Sequence, residues 1–369
     1  MMKLKLSITL LLGTVIGLGS VSGYAAAGAV YTMSNSSTAN AILLFNRSAG
    51  GQLSPAGIFP TGGRGTGGGL GNQGGLAIDD EKGLLFAVNA GSNNISVFRI
   101  TEDGLQLEDV AGSNGSRPIS VTVNRKFLYV LNNGGAVGGS DSIAGFKIGK
   151  NGELSSIISG IPLSAPSVGP AQIGFNASGD VLIVTEKNTN KIDLFSVDEE
   201  GVASGPRVVA SAGNTPFGFA FGKRDQVFVS DAFGGAASAG AVSSYKVTEQ
   251  GLETIVPAAI DKQSAPCWVV VTNDSRFTYT TNTGSGTISG YGISFDGSLR
   301  LLNEGGQTAD TGKGSTPIDA ALTNNSRFLY VLTSGSQSIQ GFDIASDGAL
   351  SPISQASSIP SSANGLVAR

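Results

Sequence analysis

"FLYVLTSGSQSIQGFDIASDGAL", residues 328–350, holds two short apolar segments separated by a Ser/Gly turn and followed by an Asp-Gly turn. Period-two alternation of aromatic and β-branched residues reads as strands, and the turn residues read as hairpins. The second segment, "IQGFDI", has counterparts in "ISVFRI", "IAGFKI", "IDLFSV", "VSSYKV" and "ISGYGI". Its aromatic stands at Phe45, Phe98, Phe146, Phe195, Tyr245, Tyr291 and Phe342, at intervals of 46 to 53 residues. The first segment also repeats, as "LLFAVN", "FLYVLN", "VLIVTE", "QVFVSD" and "FTYTTN". Ahead of it a Pro commonly opens a third apolar stretch, as in "RPISVTV", "TPFGFAF" and "APCWVVV", and a Gly turn with one more apolar segment follows.

Each unit therefore holds four strands and no helical period. Four-stranded units repeated radially make a propeller. The N-terminal "AVYTMS" supplies a second strand without a first, and the C-terminal "IPSSANGLVAR" supplies a first strand with nothing after it. Joined, they complete a seventh unit and protect two edges. The expected fold is an all-β, seven-bladed β-propeller over residues 28–369, with one blade shared between the chain ends.

The N-terminus is different in kind. Lys3 and Lys5 precede an apolar run from Ile8 to Val21, which ends in small residues at Ala25-Ala26-Ala27. This is the pattern of a secretory signal peptide, residues 1–27, with an uncleaved anchor as the other reading. The expected mature protein is exported, periplasmic or extracellular, without a membrane span. Cleavage removes two lysines and takes the net charge from −4 to −6. No basic patch points to nucleic acid. Cys267 is the single cysteine, so no internal disulfide is available, and a monomer stabilised by its core is expected.

The chain has no histidine. Ser-His-Asp and Cys-His catalysis, imidazole bases and His-ligated zinc are all excluded. The second strands end in Ser34, Asn89, Asn132, Glu186, Asp231, Asn282 and Thr333, all oxygen-bearing. Asn, Asp and Ser can simply start the next turn, but Glu186, followed by Lys187, is a poor turn former. Gln172, Phe217 and Trp268 open first strands on the same face, where binding groups are expected. Trp268 reads equally as core or as a stacking platform, and Cys267 as a small buried apolar residue. A calcium ion could use Glu186 and Asp231, since hard cations prefer oxygen, although no spacing demands it. "TGGRGTGGGLGNQGG", residues 61–75, matches G-x-G-x-x-G at Gly63, Gly65 and Gly68. It lacks the strand–helix context of a dinucleotide site and reads as a blade-to-blade connector, with Arg64 a candidate cation over the mouth.

That stretch, with "FAVNAGSNNISVF", "VTEKNTNKIDLF" and "CWVVVTNDSRFTYTTNTGSGTISGY", resembles the exported seven-bladed lactonase propellers. The group is related to 6-phosphogluconolactonase and carboxymuconate cyclase. The resemblance implies a lactone opened or closed at the loop-rich mouth by machinery that includes His, Arg and Glu. Glu186 falls where the carboxylate is implied, but Pro170-Ala171-Gln172 stands where a histidine would be, so the mechanism does not transfer intact. Two readings follow. One is a lactone hydrolase with Glu186 as base and Lys187 or Arg64 at the oxyanion. The other is a non-catalytic propeller that binds a small lactone or carbohydrate-like ligand, or an envelope protein.

Overall fold

Second strands such as Leu84–Asn89, Gln226–Asp231 and Phe328–Thr333 are buried at every position. Both faces of these strands are covered by neighbouring blades, which is why they read as nearly continuous apolar runs. Outer strands such as Gly104–Gly112 are half-buried or exposed at every position after the first. The computed structural model describes residues 26–369, so the predicted signal peptide lies almost wholly outside the described residues.

The strands form seven sheets, each built around four antiparallel strands in chain order. Six are continuous in sequence. Blade 2 covers 76–112, blade 3 118–162, blade 4 170–210, blade 5 216–260, blade 6 266–310 and blade 7 317–357. Blade 1 is shared: Asn364–Ala368 pairs with Gly28–Met33, which is followed by Ala41–Arg47 and Leu53–Pro60. Val30 faces Ala368 and Tyr31 faces Val367 in the closing register. Arg369 and Ala29 exchange backbone hydrogen bonds of 2.8 and 3.0 Å. The Arg47 guanidinium adds bonds to the carbonyls of Ala27 and Arg369. The ring thus closes as the two half-units required.

All seven residues of the repeating aromatic column are buried. A second lock ties some blades together. The hydroxyls of Tyr129, Tyr279 and Tyr330 donate to the carbonyls of Gly201, Gly348 and Gly51 in the next blade, at 2.7 to 2.9 Å. Each of these turn glycines has φ between +83° and +89°. Each also lies against the Phe that opens the neighbouring second strand, leaving no space for a Cβ.

First strands line the axis. Their side chains enclose a channel of about 420 Å³, with Val121, Ile173, Phe219, Val269, Ala320 and Val367 among its walls and Gln73 among its lining residues. Second strands end, and first strands begin, on one face, as the pairing of Glu186 with Pro170 shows. The connectors arrive on that face, which is the mouth. Among the described residues no helix is long and apolar enough to cross a membrane.

Candidate functional site at the axial mouth

The polar residues that end the second strands are enclosed by the connectors and do not stand on an open rim. Asn89, Asn132, Glu186, Asp231, Asn282 and Thr333 have no solvent exposure. Asn89 is typical: its amide donates to Ser96 Oγ at 2.7 Å, and its oxygen accepts from Thr61 and Asn40. Asn282 donates to Thr287 and Ser289, and Asn132 donates to the Ser113 carbonyl. Apart from Asn40, in a turn of the preceding blade, these partners lie on strand three or on the incoming connector. Their role is to fasten the connector, which goes beyond starting a local turn. Connector glycines make the enclosure tight. A Cβ on Gly63, Gly115 or Gly213 would stand 2.4, 2.5 and 2.1 Å from the side-chain carbons of Asn89, Asn132 and Asp231. The signal was present in sequence as Ser or Thr two residues before Gly: Thr61 and Gly63, Ser113 and Gly115, Ser211 and Gly213.

Glu186 occupies the equivalent enclosure in blade 4. Its carboxylate accepts from the Ser164 backbone N–H at 3.1 Å, from Ser164 Oγ at 2.7 Å and from Thr189 Oγ1. Asp193 accepts from the same Ser164 N–H at 3.0 Å. Burial, and then the facing Glu186, push Asp193 up to about 8, so it keeps its proton near neutrality. Asp231 sits in the separate enclosure of blade 5 and is pushed up to about 7 by burial, with Ser243 Oγ donating to it. The two carboxylates envisaged for calcium are thus fastened in different blades, and three donors already fill Glu186. No group of three or more residues suited to a metal occurs among the described residues. The donor set does not fit the ion.

Lys187 has the opposite situation. Alternation along the strand turns it away from the enclosure, and Nζ donates to the carbonyls of Gly71 at 2.5 Å and Pro170 at 2.9 Å. It also lies 5.0 Å from the centre of the Phe217 ring, which packs on Trp268 at 5.0 Å. Desolvation lowers Lys187 to about 8; the Arg117 charge adds to this, while Cys267 and Asp141 oppose it. Arg117, absent from the residues singled out by sequence, has φ of +56° and a buried Nε without a partner. No carboxylate pairs with Lys187 or Arg117 among the described ion pairs. Cys267 is buried and pushed up to about 12, so it stays a thiol.

The remaining candidates disperse. Arg64 is exposed; its backbone bonds Ser92 and Gly91, beside the blade 2 turn, and its guanidinium has no hydrogen bond among the described residues. Gln172 lines the channel and accepts from the Phe219 N–H at 2.7 Å. The part of 61–75 that reaches the axis lies beyond Arg64. Leu70, Asn72 and Gln73 are buried there. The Asn72 carbonyl accepts from Trp268 Nε1 at 2.8 Å, and the Gln73 side chain bonds both the N–H and the carbonyl of Val269. The connector is therefore also a plug. Its sequence signal is an apolar residue and two amides, Leu70, Asn72 and Gln73, set among glycines.

Residues 105–205, which include Arg117, Glu186 and Lys187, match the lactonase, seven-bladed β-propeller family. Among curated protein sequences, no relative matches the chain. A Bacteroides fragilis protein described as a 6-phosphogluconolactonase shares the fold with TM-score 0.72, at 16% identity, over 93% of this chain and 98% of its own. A Lactobacillus plantarum protein gives 0.72 at 17% identity, over 93% and 99%. The periplasmic gluconolactonase of Pseudomonas aeruginosa gives 0.71 at 15% identity, over 92% and 98%. The chain thus shares the seven-bladed β-propeller fold with these structures along nearly its whole length, and residues 105–205 match the lactonase family within it.

Proposed function

We propose that the protein hydrolyses a sugar-type lactone bearing a negative group, at the axial mouth, with Lys187 as electrophile and Arg117 as anion-holding cation. The observation that carries this reading is Lys187, which has no ion-paired carboxylate among the described residues and stands over the Phe217 ring that packs on Trp268, with the Arg117 charge close enough to lower it further. The family match and the 6-phosphogluconolactonase and gluconolactonase neighbours support the substrate class. An ammonium has three donors, and in the ligand-free protein the Gly71 and Pro170 carbonyls take two, so at least one is available for a lactone carbonyl oxygen. Water adds to the carbonyl carbon, Lys187 steadies the developing oxyanion, the ring C–O bond breaks, and the ring oxygen takes the proton that water gives up. Glu186 is not the base in this scheme, because its oxygens are enclosed by Ser164 and Thr189.

The ammonium must be charged, so the catalysed rate falls as pH rises through about 8. Assays of glucono-δ-lactone and its 6-phosphate, corrected for spontaneous hydrolysis, test this in wild type and Lys187→Met. Catalysis that survives in Lys187→Met, or that rises through the same pH range, removes the reading. Export to the periplasm or beyond is part of the proposal; it rests on the N-terminal pattern and fits the periplasmic neighbour. One observation favours a non-catalytic binding propeller, for a carbohydrate-like ligand or an envelope protein: the chain lacks histidine and seals its mouth carboxylate. Tight binding of gluconolactone with no turnover by wild type would select that second reading.

A further inference from the structure

The axial segment of the 61–75 connector pairs with groups from four blades. Lys187 Nζ of blade 4 donates to the Gly71 carbonyl. Trp268 Nε1 and the Val269 N–H of blade 6 donate to Asn72 and Gln73. Asn364 Nδ2 of blade 1 donates to Asn72 Oδ1 at 2.9 Å. In return Asn72 bonds the Ile119 carbonyl of blade 3, and Gln73 the carbonyls of Ala171 and Val269. Four donors thus converge on the axis and are satisfied by the chain's own carbonyl and amide oxygens. A cluster of donors beside a lysine is complementary to a ligand rich in oxygen acceptors, such as a polyhydroxylated carboxylate or its lactone.

The tether suits release. Residues 67–69 are exposed; Asn35 anchors the backbone of Gly67 and Gly68 at 2.8 and 2.6 Å, and beyond that anchor a Cβ on Gly68 or Gly69 would meet nothing within 4 Å. Gly67, Gly71 and Gly74 have φ of +76°, +64° and +80°. The segment is held by its polar contacts and by Leu70 rather than by a stiff backbone.

We infer that residues 70–73 are an internal occupant of the ligand site, standing where an oxygen-rich ligand binds and withdrawing to admit it. The ligand class rests on the function proposed above; the displacement does not. Apparent affinity is then reduced by the fraction of molecules with the segment withdrawn. Loosening the segment strengthens binding, and stiffening its tether weakens it.

Trp268 is the sole tryptophan and bonds the segment directly, so it reports withdrawal without any turnover. Asn72→Ala/Gln73→Ala removes the side-chain bonds, and Gly68→Ala/Gly69→Ala restricts the tether while leaving each contact in place. In the first variant, acrylamide quenching of Trp268 rises before any ligand is added. D-gluconate, measured by calorimetry, binds about tenfold more tightly than to wild type. In the second variant D-gluconate binds about twofold more weakly. Inorganic phosphate is the control for attraction by charge alone. Unchanged quenching and unchanged gluconate affinity in the first variant, with thermal unfolding near wild type, overturn the inference. Loss of folding in that variant passes the decision to the tether variant, where gluconate affinity equal to or above wild type overturns it. If quenching and affinity move as expected but no lactone is turned over, the occupant stands and the hydrolase reading falls.

Discussion

The enclosure around Glu186 and the axial mouth around Lys187 begin one residue apart, yet they manage charge by opposite means. Glu186 is surrounded by donors from Ser164 and Thr189, and its neighbour Asp193 is held protonated. Lys187 is bonded by two carbonyls and faces an aromatic ring; no carboxylate pairs with it among the described ion pairs, and the more distant Asp141 and Arg117 charges act on it in opposite senses. Negative charge is absorbed inside a blade, where it fastens a connector. Positive charge is left incompletely compensated at the axis, where a ligand can reach it once the plug withdraws. A charged side chain at the mouth of a propeller is therefore judged by what already answers its charge.

The largest effect expected from this contrast is on catalysis. Lys187→Met lowers kcat/KM for a sugar lactone by about 10²- to 10³-fold, the range for losing one oxyanion donor, while the unfolding temperature stays near wild type. Next comes stability on the carboxylate side. Glu186→Ala leaves the Ser164 and Thr189 donors unanswered and costs about 3 kcal/mol, read as a lower urea midpoint. Gly213→Ala forces a Cβ onto the Asp231 carboxyl and costs about 1–3 kcal/mol by the same measurement.

A smaller effect follows from pH. Asp193 and Asp231 are raised to about 8 and about 7 in the fold, whereas in the unfolded chain they titrate near about 4. Their contribution is complete below that unfolded value and is lost as pH rises through 7 to 8. The unfolding temperature should therefore climb on acidification from pH 8 to pH 5. Asp193→Asn flattens the upper part of that slope; a profile unchanged by this substitution would show that Asp193 ionises freely.

The blades were legible because their signals are local and repeated. The aromatic column from Phe45 to Phe342, and the half-units at "AVYTMS" and "NGLVA", each carry their meaning within a few residues. The site was less legible because its contacts are distant. Residues 72 and 73 bond groups 47, 196 and 292 positions away, which no period in the chain announces. Arg117 looked like an ordinary residue before Pro118, and only its orphaned Nε marks it. Glu186 was correctly placed at the end of its strand. What could not be seen was the Ser164 connector folding across it, although the glycines over Asn89, Asn132 and Asp231 showed that such crossings are part of the repeat.

The smallest expected effect is the most decisive. Glu186→Gln keeps an acceptor for Ser164 and Thr189 but cannot act as a base, so kcat/KM for the lactone that wild type hydrolyses should stay within about twofold of wild type. A fall of about 10²- to 10⁴-fold in a stably folded Glu186→Gln protein, the range for losing a general base, would contradict the assignment of chemistry to the axial cations.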